Sequence, residues 1–112
     1  MRKITEQAVK AFVNGDSFKS GNTMVEHLIQ PHMTSTHLYL HGNEIARLSN
    51  NVLTLSSCGW ETNTTKERLN GLLRQYGNKI IRQEKGIWYL YDSFLSGENR
   101  DLFKDGMTIK VS

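Results

Sequence analysis

The sequence contains four histidines, a residue type that often binds metal ions. They are His27, His32, His37 and His41. His37 and His41 are four residues apart on a predicted strand, which separates them by roughly 13 Å at the rise of a strand. No paired cysteines, clustered carboxylates or H-x-x-x-H helix supplies further ligands. We therefore expect no metal site and no cofactor, and predict histidines at surface or half-buried positions.

The histidines of the predicted strand have another possible use. Alternate side chains of a strand share one face of the sheet. His37, Tyr39 and His41 are thus predicted to form a polar and aromatic stripe opposite Leu38 and Leu40. Such a stripe could bind a partner.

Cys58 is the single cysteine of the chain and the one candidate for thiolate chemistry. A nucleophilic thiolate needs a lowered pKa and a nearby base, and the sequence does not test that distance. A lone cysteine beside a glycine at a strand end is more often a small packing residue. No phosphate loop of the G-x-x-x-x-G-K-[ST] or G-x-G-x-x-G type is present. We predict no catalytic residue and no enzymatic activity.

Basic and aromatic side chains offer a different chemistry, the binding of phosphates. Lys66 and Arg68 are predicted to be exposed in the first turns of a helix, where free amides attract phosphate, although Glu67 opposes it. Trp60 could stack on a base or cover the edge of the core. The formal net charge of +3 favours acidic partners only weakly, because 14 Lys/Arg face 11 Asp/Glu. The candidate nucleic-acid contacts are Lys66, Arg68, Arg82, Trp60 and Trp88.

Length and composition indicate one globular domain over residues 1–112. The chain is 38% apolar and 22% charged, and no segment has the apolar length of a membrane helix. The N-terminal residues MRKITEQAVKAF are too polar for a signal peptide, so we expect no export. A single cysteine excludes an internal disulfide and agrees with a reducing cytosol.

The candidate residues must be positioned by two predicted helices. The first spans 4–13, with Thr5 as its cap and Gly15 as its stop. After a polar loop and the strands, the second helix begins at a predicted capping box formed by Thr64 and Glu67. Its apolar face and its end are marked by Leu69, Leu72, Leu73, Tyr76 and Gly77.

Between these helices the sequence predicts an antiparallel meander. TMVEHLI is a strand, and THLYLH and EIARL flank a two-residue type II′ turn at Gly42-Asn43. This turn pairs Leu40 with Ile45 and Leu38 with Arg47, which places Leu38, Leu40 and Ile45 in the core. VLTLSS continues the meander after a turn at 49–51.

A C-terminal hairpin is predicted after the second helix. KIIRQ and IWYLY flank a three-residue loop at 84–86, which pairs Arg82 with Trp88. From 92 to 112 the pattern weakens into a loop and at most a short edge strand. The fold class is therefore α+β, with an N-terminal helix, a meander, a second helix and a hairpin.

Three blocks of this sequence resemble a family of short uncharacterised proteins of tailed bacteriophages. The blocks are LYLHGNEIARL, SSCGWETNTTKERLN and IIRQEKGIWYL, within residues 36–91. The resemblance implies an accessory protein in the host-cell cytoplasm and transfers no catalytic residue. Members of the resembled family stop soon after the position of Leu90, so residues 92–112 are expected to be an extension.

Two functions stay open from the sequence. The first is a non-enzymatic accessory protein that binds a host macromolecule, most simply a host protein, and inhibits a defence or expression component by occlusion. The alternative is a small nucleic-acid-binding domain, because a helix, three strands and a helix with a basic start resemble the order of double-stranded-RNA-binding domains. Neither implies a membrane partner, and the oligomeric state is not predicted.

Overall fold

The computed structural model describes residues 2–77, 79–92 and 100–111. Within these ranges two helices and nine strands follow one another along the chain. They are α1 (Lys3–Asn14), β1 (Phe18–Ser20), β2 (Thr23–Gln30), β3 (Met33–Leu40), β4 (Asn43–Ser49), β5 (Val52–Leu55), α2 (Asn63–Tyr76), β6 (Ile80–Glu84), β7 (Ile87–Tyr91), β8 (Arg100–Leu102) and β9 (Met107–Lys110).

The strands form two antiparallel sheets. The first has six strands in the order β1-β2-β3-β4-β5-β9, and the second has three in the order β6-β7-β8. The predicted α+β architecture is confirmed. The C-terminal hairpin is, however, extended by β8, and the tail returns as β9 to pair with β5. Five strands precede α2, so the element order departs from that of double-stranded-RNA-binding domains.

Both helices pack against one face of the six-stranded sheet. α1 contacts β2 and β3, α2 contacts β4, and the helices contact each other. One continuous apolar cluster includes Phe12 of α1, Leu38 of β3, Leu72 of α2 and Trp88 of β7. The predicted apolar face of α2 is confirmed, since its leucines are buried and Tyr76 packs against them. The opposite face of the six-stranded sheet is not covered by either helix.

The turn between β3 and β4 lies one residue earlier than predicted. His41 and Gly42 have φ angles of 52° and 79°, the two left-handed positions of a type I′ turn. Leu40 therefore pairs with Asn43 and not with Ile45. The predicted type II′ turn at Gly42-Asn43 is wrong because histidine also adopts the left-handed conformation.

A β-bulge restores the predicted burial despite the different register. Leu38 pairs with Ala46 and Tyr39 with Glu44, which leaves Ile45 as the extra residue of β4. Leu38 and Ile45 are both buried, as is Leu40. The predicted core positions are confirmed, whereas the predicted pairing of Leu38 with Arg47 is wrong.

Both helix starts differ from the sequence prediction. α1 begins at Lys3 after Arg2, which makes no side-chain cap, and Thr5 lies buried in the first turn. α2 begins at Asn63, and Thr62 Oγ1 accepts a hydrogen bond from the Thr65 amide at 3.1 Å. The predicted cap at Thr5 and the predicted capping box of Thr64 are therefore wrong. The stop of α1 at Gly15 is confirmed, with a φ of 72°.

The hairpin of β6 and β7 is one residue tighter than predicted. Lys85 and Gly86 form a two-residue turn with φ angles of 53° and 81°. Arg82 consequently pairs with Tyr89 and not with Trp88. A further difference is β1, which forms inside the segment predicted to be a polar loop.

The capping assignment of α2 predicts a difference between two neighbouring threonines. Thr62→Ala should lower the free energy of unfolding by about 1 kcal/mol, because the Thr65 amide loses its acceptor. Thr64→Ala, the matched control, should change it by less than about 0.5 kcal/mol. Urea denaturation of both variants checks this, and a larger loss in Thr64→Ala would restore Thr64 as the cap.

Candidate functional site

Arg68, predicted as an exposed phosphate contact, is buried between the two helices and the sheet. Its side chain is 2% exposed. The guanidinium Nε donates to Thr23 Oγ1 of β2 at 3.2 Å, and Nη1 donates to Thr5 Oγ1 of α1 at 2.7 Å. Nη1 also donates to Glu67 Oε1 at 2.5 Å. The predicted exposure of Arg68 is wrong, because its donors are used to join α1, α2 and β2.

Glu67 provides the charge that accompanies the buried arginine. Its carboxylate accepts hydrogen bonds from the Thr5 hydroxyl, from the Arg2 backbone amide at 3.2 Å and from Arg68. Partial burial by itself would raise the pKa of Glu67. The hydrogen bonds from Thr5, Arg2 and Arg68 and the charge of Arg68 outweigh that effect and lower the pKa. Glu67 is thus ionised and tied to α1 instead of closing a capping box.

The arginine network reaches the β3–β4 hairpin through two further side chains. Thr23 Oγ1 donates to Asn22 Oδ1 at 2.8 Å, and Asn22 Nδ2 lies 3.4 Å from His41 Nε2. His41 therefore belongs to the turn and is not a member of the predicted stripe. The loop before β2 is connected to the hairpin by this contact.

Neither Trp88 nor Arg82 shares an exposed surface with Lys66. Trp88 is buried, with 1% of its surface exposed. Lys66, which lies beside the Trp88 ring, donates a hydrogen bond from Nζ to Gln83 Oε1 at 3.0 Å. Arg82 lies on the opposite face of the small sheet, with its guanidinium carbon 5.2 Å from the centre of the Tyr91 ring. The predicted pairing of Arg82 with Trp88 is replaced by this contact. Of the predicted nucleic-acid contacts, Arg68 and Trp88 are therefore buried, and Arg82 lies on a different face from Lys66.

His37 and Tyr39 lie on the uncovered face of the six-stranded sheet, as predicted. Their rings stack with centroids 6.2 Å apart. His37 Nδ1 contacts a Glu44 carboxylate oxygen, and its Nε2 lies 2.8 Å from Ser35 Oγ. Burial raises the pKa of Tyr39, and the charges of Glu26 and Glu44 raise it further. His37 and Tyr39 thus form a rigid polar and aromatic patch without His41.

Trp60 is exposed on the loop between β5 and α2. Its relative exposure is 65%, whereas that of Trp88 is 1%. The alternative in which Trp60 covers the core edge is excluded by this exposure. Tryptophan combines a large apolar ring with a polar N–H and is enriched at interfaces, so Trp60 is a candidate contact.

The loop that carries Trp60 is fixed at several points. Asp105, from the connection between β8 and β9, accepts hydrogen bonds from the Ser57 amide at 2.7 Å and the Ser57 hydroxyl at 2.8 Å. Cys58 and Gly59 take left-handed φ angles of 54° and 82°. Cys58 is exposed, contrary to the predicted packing position, and its Sγ lies 3.0 Å from the Glu44 carbonyl oxygen. The sequence contains no local signal for the role of Asp105, because that residue is distant in the chain.

A cleft opens beside Trp60, between the β3–β4 hairpin and the start of α2. Its volume is about 480 Å³. The lining residues are apolar or carry hydroxyl, amide or imidazole groups, and they are Leu40, His41, Asn43, Ile45, Ser57, Trp60, Thr62, Thr64 and Thr65. No carboxylate, lysine or arginine is among them. The Trp60 cleft, defined by these residues, is therefore suited to an uncharged group that is partly apolar and partly hydrogen bonding.

Among the described residues, no group of three or more histidines, cysteines or carboxylates is placed to hold a metal ion. In the same residues, no helix is both long enough and apolar enough to cross a membrane.

A family model described as Kyanoviridae Gp96 protein matches residues 1–110. The chain belongs to this family. It is a phage accessory protein, as the resemblance implied. The match extends through residue 110, so most of the segment from 92 onward belongs to the family pattern and is not an extension beyond it. No curated protein and no solved structure matches the chain significantly.

The burial of Arg68 predicts a large effect of its removal on stability. Arg68→Ala should lower the free energy of unfolding by about 3–5 kcal/mol, because the partners of a buried charge lose their donor. Arg74→Ala, at an exposed position of the same helix, should change it by less than about 0.5 kcal/mol. Urea denaturation measures both, and equal effects would contradict the structural role of Arg68.

The lowered pKa of Glu67 predicts a pH dependence of stability. Its stabilising contribution is complete above the unfolded-state pKa of about 4.3 and is lost as pH falls through the lower folded-state pKa. The stability advantage of the wild type over Glu67→Gln should therefore shrink between pH 6 and pH 3. Glu61→Gln, in an exposed loop, controls for the loss of one carboxylate. An advantage that is constant over this range would contradict the prediction.

Proposed function

We propose that this phage accessory protein binds a host protein through the Trp60 cleft and inhibits it by occlusion, without an enzymatic step at that cleft. The observation that carries the proposal is the 65% exposure of Trp60 on a loop fixed by hydrogen bonds. Tryptophan is enriched among the residues that dominate protein interfaces. The proposed place of action is the host cytoplasm.

The fixed loop favours binding because little conformational entropy remains to be lost. Ser57 is anchored by Asp105, and the Trp60 amide donates to the Ser57 carbonyl at 2.9 Å. The Thr62 amide in turn donates to the Trp60 carbonyl at 2.9 Å. An interface residue that is ordered before association contributes more of its contact energy to affinity.

The lining of the cleft indicates the chemistry of the partner. Leu40 and Ile45 provide an apolar floor, while Thr64 and Asn43 offer hydrogen bonds at the rim. An apolar side chain of a host protein, presented on a backbone that uses these polar groups, fits this arrangement. A strongly charged segment does not, since the lining holds no ion-pair partner.

The proposal is tested by affinity capture from nuclease-treated host lysate, with the wild type and the Trp60→Ala variant compared as the immobilised protein. The wild type should retain a host protein, and purified partner should bind the variant about 30-fold more weakly, which corresponds to a hot spot of about 2 kcal/mol. Ile29→Ala is the matched control, because Ile29 is an exposed apolar residue on the β2–β3 hairpin outside the cleft. Binding that survives Trp60→Ala, or is lost equally in both variants, would contradict the proposal.

A second candidate, nucleic-acid binding, is supported by a groove along α2. Arg2, Lys66 and Arg74 line it together with Glu67, whose charge is already paired with Arg68. Three basic side chains thus remain for phosphate contacts, and this set replaces the predicted one that included Arg68. In the same capture experiment this candidate requires nuclease-sensitive binding, with a log–log salt slope of about −3 on duplex DNA. It also requires that the double variant Lys66→Glu, Arg74→Glu loses this nucleic-acid binding and that Trp60→Ala leaves it unchanged.

A further inference from the structure

The uncovered face of the six-stranded sheet carries a chain of three hydrogen-bonded side chains. Ser35 and His37 alternate along β3, and Glu44 reaches His37 from β4. Ser35 Oγ lies 2.8 Å from His37 Nε2, while His37 Nδ1 contacts a Glu44 carboxylate oxygen. A serine, a histidine and a carboxylate are therefore joined through the two nitrogens of one imidazole.

This order of atoms meets the requirements for an activated serine. An ionised carboxylate only accepts hydrogen bonds, so the contact with Glu44 places a ring proton on Nδ1 of His37. In the neutral imidazole, Nε2 is then free to accept the proton of the Ser35 hydroxyl. A base within hydrogen-bond reach of a hydroxyl, itself oriented by a third group, is the arrangement that activates serine nucleophiles.

The imidazole is held in place by its neighbours. The Tyr39 ring stacks on it at an interplanar angle of 22°. Arg47 Nη1 lies 3.7 Å from the second carboxylate oxygen of Glu44, which restrains that carboxylate. The orientation of His37 is therefore restrained by the Tyr39 ring on one face and by the contacts at both of its nitrogens.

Ser35 lies in an open cleft of about 560 Å³ whose walls differ in polarity. Leu28, its cross-strand neighbour on β2, and Met33, two residues earlier on β3, form an apolar wall. Ser49 is its cross-strand neighbour on β4, and the buried Ser49 hydroxyl has no hydrogen-bond partner within the described ranges. Arg47, whose side chain is 48% exposed, pairs with His37 across the strands.

We propose that Ser35 is a nucleophile that takes up the acyl group of an ester or thioester with a short apolar acyl chain. Ser35 and His37 are the catalytic residues, and Glu44 is a positioning residue. Leu28 and Met33 contact the acyl chain, while the Ser49 hydroxyl and the Arg47 guanidinium stabilise the oxyanion. This activity goes beyond the proposed function and does not depend on Trp60.

The reaction proceeds by addition and elimination. Ser35 Oγ forms a bond to the acyl carbon while its proton moves to His37 Nε2, and the carbonyl oxygen becomes an oxyanion. The bond from the acyl carbon to the leaving oxygen or sulfur then breaks, and the leaving group takes the proton from His37. Water, activated by the same imidazole, adds to the acyl-serine and returns Ser35 with release of the carboxylic acid.

An alkyl fluorophosphonate tests the proposal directly, because Ser35 Oγ would displace fluoride and form a stable phosphonyl-serine. Mass spectrometry of the folded protein should locate the adduct on Ser35, and Ser35→Ala should abolish it. His37→Gln should slow labelling about 100-fold, the lower range of general-base catalysis. Glu44→Gln should also slow it, with circular dichroism confirming that both variants remain folded.

Ser20→Ala is the matched control, because Ser20 is an exposed strand serine that contacts no histidine among the described residues, and its labelling rate should equal that of the wild type. Protein unfolded in urea should not be labelled. Absence of labelling, an adduct on another residue, or an unchanged rate in folded His37→Gln would overturn the proposal and leave a structural hydrogen-bond chain only.

Discussion

The buried guanidinium of Arg68 is the constraint on which the packing of this protein depends. A charge removed from water must be matched by hydrogen bonds and an opposite charge, and three separate elements supply them. Thr5 comes from α1, Thr23 from β2 and Glu67 from α2 itself. Both helices are thereby held at one position on the sheet. Misplacement of any of these elements would leave a buried charge without partners, so the network favours one arrangement over alternatives with similar apolar contact.

The same arrangement determines which surfaces are left for binding. Because the helices cover one face of the six-stranded sheet, the cleft beside Trp60 lies where that covered layer ends, at the start of α2. The uncovered face presents Ser35, His37 and Glu44 instead. The proposed binding at Trp60 and the proposed chemistry at Ser35 therefore use separate surfaces, so a substitution at one of these residues does not touch the other.

Two backbone features connect the fold to these surfaces. The bulge at Ile45 lets this residue and Ala46 both face the core, and it allows Glu44 to lie beside His37. The left-handed pair Cys58 and Gly59 turns the chain so that Trp60 projects into solvent. In β4 the bulge thus places side chains that regular alternation would direct elsewhere, whereas Trp60 is placed by the turn of a loop.

The sequence alone determined the class of the fold, the two helices, most strands and the central core positions. These features follow from local periodicity, which is set by the geometry of each element. The sequence did not determine the hairpin registers, because residues such as His41 and Lys85 adopt left-handed turn conformations that glycine position alone does not reveal. It also misassigned Arg68 and Trp88, whose exposure depends on residues distant in the chain. Burial of the Arg68 charge and the anchoring of a loop by Asp105 were decided only by tertiary structure, since each requires elements that are not adjacent in sequence. The contact of Glu44 with His37 depends on the register and the bulge of the β3–β4 hairpin, which the sequence did not determine.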